Sequence, residues 1–185
     1  MNNYRINKNY AKALFMLASE RGQTDRVADD MRLVDSVCSE NRELNVVFAN
    51  PTIRFDKKAT IVEHLFAGSV SDETMAFLRF VVRKNRTVNL RGISEAYMTL
   101  YRDTKGIVLS DLVTYQPIDD SARRMVTQLV EEYTDKTVEL RDHTDSQMFG
   151  GFKLEFDNKM YDARIRTKIR KLRLEFAKND YESKL

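Results

Sequence analysis

The side chains capable of chemistry are few and do not converge. The chain holds one cysteine and two histidines. Cys38 alone cannot form an internal disulfide, and two His with one Cys cannot complete a His/Cys zinc shell without carboxylates. Cys38 also continues the helical stripe Val27, Met31 and Val34, which reads as burial, not as a reactive thiol. His64 lies between Glu63 and Leu65 on a helix, where it could imitate a phosphotransfer histidine, but an ordinary partly buried histidine is the plainer reading. His143, between Asp142 and Thr144 in a polar loop, reads as solvated. The pairs Asp29-Asp30, Asp119-Asp120 and Glu131-Glu132 are adjacent, so on a helix they point about 100° apart and cannot share a proton. They read as solvent-facing charge and caps. Gly150-Gly151 lacks the following Lys-Ser or Lys-Thr of a phosphate loop and precedes a strand. No catalytic residue, metal site or cofactor is expected.

Composition agrees with a non-catalytic reading. In 185 residues, 42% are hydrophobic and 32% charged, with six Gly and two Pro, a helix-rich globular profile long enough for one or two domains. No window approaches the roughly 18–20 apolar residues of a membrane span, and the first residues lack a signal-peptide pattern. The chain is expected to be intracellular. Net charge is only +3, but its distribution is uneven: residues 1–105 carry 17 basic and 13 acidic side chains, 106–162 carry 6 and 12, and 163–185 carry 8 and 3. The basic helix at 164–173 makes a nucleic-acid-binding α+β protein the alternative reading. The acidic block beside it would repel a duplex over a Debye length of about 10 Å, so a dipolar protein-binding domain fits better.

The elements that would position these residues fall into two groups. Residues 8–21 carry Ala11, Leu14, Phe15 and Ala18 at helical spacing and stop at Gly22. A second helix follows Asp25, which can cap or charge its first turn, a short third contains Leu44, Val47 and Phe48 and breaks at Asn50-Pro51, and a fourth runs from Asp56 to Gly68. Ser71 caps the fifth. That helix is apolar nearly all round, with Met75, Leu78 and Val82 on one side and Phe77, Phe80 and Val81 on the other, so it is either central or presents a second face outward. A sixth helix runs from Leu90 through Tyr101 to Gly106. The period then becomes strand-like: a strand at 107–115, a helix capped by Asp119 (Ala122, Met125, Val126, Leu129, Val130, Tyr133), a short strand at 137–141, and a hairpin with Phe152, Leu154 and Phe156 turning at Asp157-Asn158. Asp162 caps a last helix with the stripe Ile165, Ile169, Leu172 and Phe176. The expected fold is multi-domain: an all-α six-helix N-terminal bundle over 1–105, then a small α+β domain over 106–185.

Several short motifs, in order, carry a family resemblance. Tyr10-Ala11-Lys12-Ala13-Leu14-Phe15, then Asn50-Pro51-Thr52-Ile53 with Lys57-Lys58, then Phe77-Leu78 with Val81-Val82 and Lys84-Asn85-Arg86, and finally Gly150-Gly151-Phe152 with Tyr161-Asp162-Ala163 resemble the delta subunit of bacterial F-type ATP synthase, the oligomycin-sensitivity-conferring protein family. One departure is Arg164, where the family usually has a small hydroxyl residue.

The resemblance implies a non-catalytic stator without cofactors, linking the F1 catalytic hexamer to the Fo peripheral stalk at the cytoplasmic face of the bacterial inner membrane. It implies that the N-terminal domain binds the N-terminal segments of alpha subunits and the C-terminal domain a b-type stalk subunit, with no nucleic acid and with membrane association only through the complex. If the first helix lies beside the fifth, Tyr10, Ala13, Leu14, Leu17, Phe77, Phe80 and Val81 form a groove for an amphipathic helix; filling the bundle core is the competing reading. For the stalk, the expected surface is Phe152, Ile165, Ile169 and Leu172 with Arg166 and Arg170 alongside, against the competing reading that the last helix packs on its own sheet.

Overall fold

The computed structural model describes residues 3–177, with side chains through residue 175. Its contacts divide the chain into two compact units, Met1–Lys105 and Gly106–Leu185.

The first unit contains α1 (Asn3–Glu20), α2 (Thr24–Glu40), α3 (Arg42–Ala49), α4 (Phe55–Phe66), α5 (Asp72–Arg83) and α6 (Leu90–Lys105), with a 3-10 turn at Thr87–Asn89 before α6. The six-helix description therefore omits one element, whose three residues are too few to show a period. α1 begins a turn earlier than its apolar stripe, because Asn7 Oδ1 accepts from Asn89 Nδ2 at 2.8 Å and holds the polar first turns in place. α1 and α2 both pack on α6, and the small buried residues Ala11, Ala18 and Ala28 allow close approach. Gly22, at φ +65°, ends α1 in the left-handed conformation that glycine adopts without strain. Cys38 is buried in this core, and desolvation pushes its thiol up to about 11.

Three polar side chains tie the elements of this unit together. Asp30, expected at the surface, is 2% exposed and accepts from both the backbone N–H (2.9 Å) and the hydroxyl of Ser71, tying α2 to the cap of α5. Ser71 in turn accepts from Thr74 N–H, as a cap should. Asp25 charges the first turn of α2 but does not cap it, the N-cap being Gln23; it accepts from Lys105 Nζ and the Tyr101 hydroxyl, each at 2.8 Å, which hold its carboxyl below the usual range. Lys58 is buried, and its Nζ donates to the Phe48 carbonyl at the C-terminus of α3 at 2.9 Å, beside the Thr87 hydroxyl at 3.0 Å.

The second unit contains β1 (Ile107–Thr114), α7 (Asp120–Thr134), β2 (Thr137–Thr144), β3 (Phe152–Phe156), β4 (Lys159–Asp162) and α8 (Ile165–Ala177). The sheet order is β2-β1-β3-β4; β1 and β2 are parallel across the α7 crossover, and the other pairs are antiparallel. Alternate β1 residues Val108, Ser110, Leu112 and Thr114 are buried, and Leu112, Val130 and Leu154 centre the core. Asp157 and Asn158 both adopt positive φ, giving the tight two-residue turn of the β3–β4 hairpin.

Four readings change here. β2 runs on to Thr144, because backbone pairing with Val113 and Thr114 extends it beyond its apolar residues; His143 is thus on an exposed strand and not in a loop. On α7, Asp119 is the cap, accepting from Ala122 N–H at 2.8 Å, but only Val130 of the expected stripe is buried. Met125, Leu129 and Tyr133 stand about 100° round the helix from Val126 and Val130, and are exposed. Asp162 ends β4 and is not the residue next to α8; its carboxylate accepts from Arg164 N–H at 3.0 Å, from the Arg164 guanidinium and from the Thr167 hydroxyl. Arg164 therefore finds its partner within the chain. Finally, α8 has no buried residue among its described side chains. The Phe176 side chain and residues 178–185 of the expected second domain lie outside the described residues.

Candidate functional site: two partner-docking surfaces

A groove of about 610 Å³ runs along α1 and α5. It exists because α1 spends one face on α6 and α5 spends one face on α4, leaving a second apolar face on each. Tyr10, Ala13, Leu14 and Leu17 from α1 and Phe77 and Phe80 from α5 all line it. The Tyr10 ring meets Phe77 edge-on at 6.5 Å and Phe80 at 6.0 Å. Ala13 and Ala76, both exposed, leave room along the groove for a bulky side chain. Phe80 is 46% exposed, with the Lys84 ammonium 5.6 Å from its ring centre.

At the opposite end, Arg21 donates to Glu73 at 2.8 Å. Glu73 is held below the usual carboxylate range by its own backbone N–H at the start of α5 and by Arg21. The groove therefore has an aromatic end and an ionic end. Val81 does not line it. At about 100° per residue it lies about 60° from Leu78, inside the core sector of α5, and it is 0% exposed. Ala76, Asn9, Asp72, Glu73 and Arg21 are lining residues that sequence reasoning missed. Ala76 was legible one turn before Phe80; the Arg21–Glu73 pair, 52 residues apart, had no local signal.

The second candidate surface is α8. Ile165, Ile169 and Leu172 are 45%, 46% and 51% exposed, so the stripe is not spent on the sheet. Arg166 and Arg170 are exposed beside it. Phe152 is packed instead on the core of the second unit, its ring 5.8 Å from that of Tyr161. The Gly150 carbonyl accepts from Ile165 N–H at 3.1 Å. Gly151, at φ +84°, lies so close to the Ala163 carbonyl and Arg164 Cα that a Cβ has no room, which explains the glycine pair without any phosphate chemistry.

His64 is exposed on α4, not partly buried. Among the described residues no group of His, Cys, Asp and Glu could hold a metal ion, and no helix is long and apolar enough to cross a membrane.

The family model for the ATP synthase delta (OSCP) subunit matches residues 6–176. The chain belongs to this family. It is 35% identical over 176 residues to the ATP synthase subunit delta of Cytophaga hutchinsonii, covering 95% of this chain and 96% of that protein. It is 32% identical to the subunit delta of Salinibacter ruber, covering 91% and 89%. A chain of the Toxoplasma gondii mitochondrial ATP synthase hexamer superposes with a TM-score of 0.74 over 92% of this chain and 97% of that one, at 18% identity, which speaks for a shared fold. As a member of the delta/OSCP family the chain is a structural, non-catalytic stator subunit of F-type ATP synthase. The nucleic-acid reading of the last helix finds no support in these relatives.

Proposed function

We propose that the α1–α5 groove of this delta/OSCP subunit receives the N-terminal segment of an alpha subunit as an amphipathic helix, and that the second unit holds the b-type peripheral stalk. Residues 1–105 are then the F1-facing domain and 106–185 the stalk-facing domain, with the chain peripheral at the cytoplasmic face of the bacterial inner membrane and attached only through the complex.

The observation that carries this reading is the groove itself. An apolar floor walled by two helices, with three aromatic rings at one end and an ion pair at the other, suits a helix laid lengthwise with anchors at i, i+3 or i+4, and i+7. The mechanical role follows from the chemistry: rotation of the central shaft drives synthesis only if the hexamer is held against the counter-torque, and that needs tight grip at two ends without any bond being made or broken. Helix-in-groove burial of aromatic anchors supplies grip of that kind.

The test is binding of a labelled alpha N-terminal peptide to the full chain and to Ala76→Leu, which fills the groove from an exposed position. Binding by the parent chain and its loss in the variant are expected; equal binding by both overturns the groove assignment.

A further inference from the structure

The stalk assignment leaves open what chemistry α8 recognises, and the surface of that helix carries the argument further. Ile165, Ile169 and Leu172 form a seam that spans only about 60° at 100° per residue, while Leu174, also exposed, lies nearly opposite and outside it. Arg166, Arg170 and Arg173 flank that seam on one side, and Lys168 and Lys171 on the other. No Asp or Glu occurs in residues 163–174. Only Arg164 is engaged, by Asp162; among the described residues none of the other five cations makes an ion pair. A 13-residue helix with no buried residue among its described side chains is marginal by itself, so it gains most from a partner that covers the seam and pairs the flanks together.

We infer that α8 docks an acidic amphipathic helix: its apolar seam covers Ile165, Ile169 and Leu172, and its Asp and Glu side chains lie along both flanks against the Arg and Lys rows. This rests on the stalk reading, in which that helix belongs to the stalk subunit. The seam is as narrow as that of a coiled coil, whereas a membrane surface takes a broader apolar face, and nucleic-acid phosphates would leave the seam uncovered. The rest of the unit reinforces the choice. Residues 106–162 carry 12 acidic and 6 basic side chains, which repel an acidic partner from the sheet and direct it to α8.

The experiment titrates the full chain and its double variant Arg166→Glu/Arg170→Glu with the soluble portion of the stalk subunit, at low and high salt. Charge pairing predicts affinity at least about tenfold weaker in about 500 mM than in about 50 mM salt, and a similar loss in the double variant at low salt with its melting temperature unchanged. A stalk portion whose flanking carboxylates are changed to Lys is expected to bind the double variant better than the parent. Stalk binding that ignores both salt and charge reversal overturns the acidic-helix assignment and leaves the stalk reading standing. Tighter binding to anionic phospholipid vesicles or to polyuridylate than to the stalk portion also overturns it. Failure of the parent chain to bind the stalk at all defeats the stalk reading and this assignment with it.

Discussion

Phe80→Ala separates a groove anchor from a core residue. A phenylalanine buries about 150–250 Å² when fully covered, and Phe80 exposes 46% of its surface. A docked helix covering the remainder removes roughly 70–115 Å² from water, or about 2–3 kcal/mol at 25 cal/mol/Å². Phe80→Ala is therefore expected to weaken binding of the alpha N-terminal segment by about 30-fold or more. The free chain also loses the packing of Phe80 on Tyr10, but a domain with about 5–15 kcal/mol of stability remains folded after such a loss, so the Kd is not moved through unfolding. Val81→Ala supplies the contrast: Val81 is 0% exposed, and its truncation costs about 1–2 kcal/mol of stability while leaving Kd within about twofold. Fluorescence anisotropy with a labelled peptide, paired with urea denaturation of each variant, reads both quantities. The reasoning is refuted if Phe80→Ala binds within twofold of the parent, or if Val81→Ala weakens binding as much.

Three other outcomes follow from the geometry. Ala76→Leu should abolish peptide binding while leaving the urea midpoint unchanged, since Ala76 is exposed on the groove; a lower midpoint with intact binding would contradict the placement. Asp30→Ala removes a buried carboxylate that accepts two bonds from Ser71 and should cost about 2–3 kcal/mol, seen as an earlier urea transition of the first unit. Asp162→Asn should destabilise the second unit at neutral pH. The Arg164 guanidinium, with Arg164 N–H and Thr167, holds the Asp162 carboxyl well below the usual range, so its contribution is full above the unfolded pKa of about 4 and fades as pH falls below it. Parent and variant stabilities measured from pH 7 down to pH 2 should therefore converge; a constant gap argues against the ion pair as its source.

The elements were legible wherever one local signal decides them. Gly22, Pro51, Gly68 and Gly106 marked helix ends, Ser71 and Asp119 marked caps, and the change from helical to strand period fell at the α6–β1 junction. Six of the seven residues expected along the groove line it, since Phe77 and Phe80 could not share a face with Leu78. Val81 was misassigned because a helix with two apolar faces has no polar boundary to show where one ends. Distant pairing was invisible: Asp30 looked like surface charge until Ser71, 41 residues on, turned out to be its donor. The exposed Met125, Leu129 and Tyr133 of α7 and the uncovered seam of α8 have the same cause. A periodic stripe tells that a face is apolar, not whether this chain or another covers it.

The most direct measurement of the central claim is coupling. F1 stripped of this chain is recombined with stalk-bearing membranes, with and without added chain, and proton-driven ATP synthesis is recorded beside ATP hydrolysis by F1 alone. The account predicts that synthesis returns only with the added chain, fails to return with Ala76→Leu, and leaves hydrolysis by isolated F1 unchanged throughout. Full synthesis without the chain would contradict it.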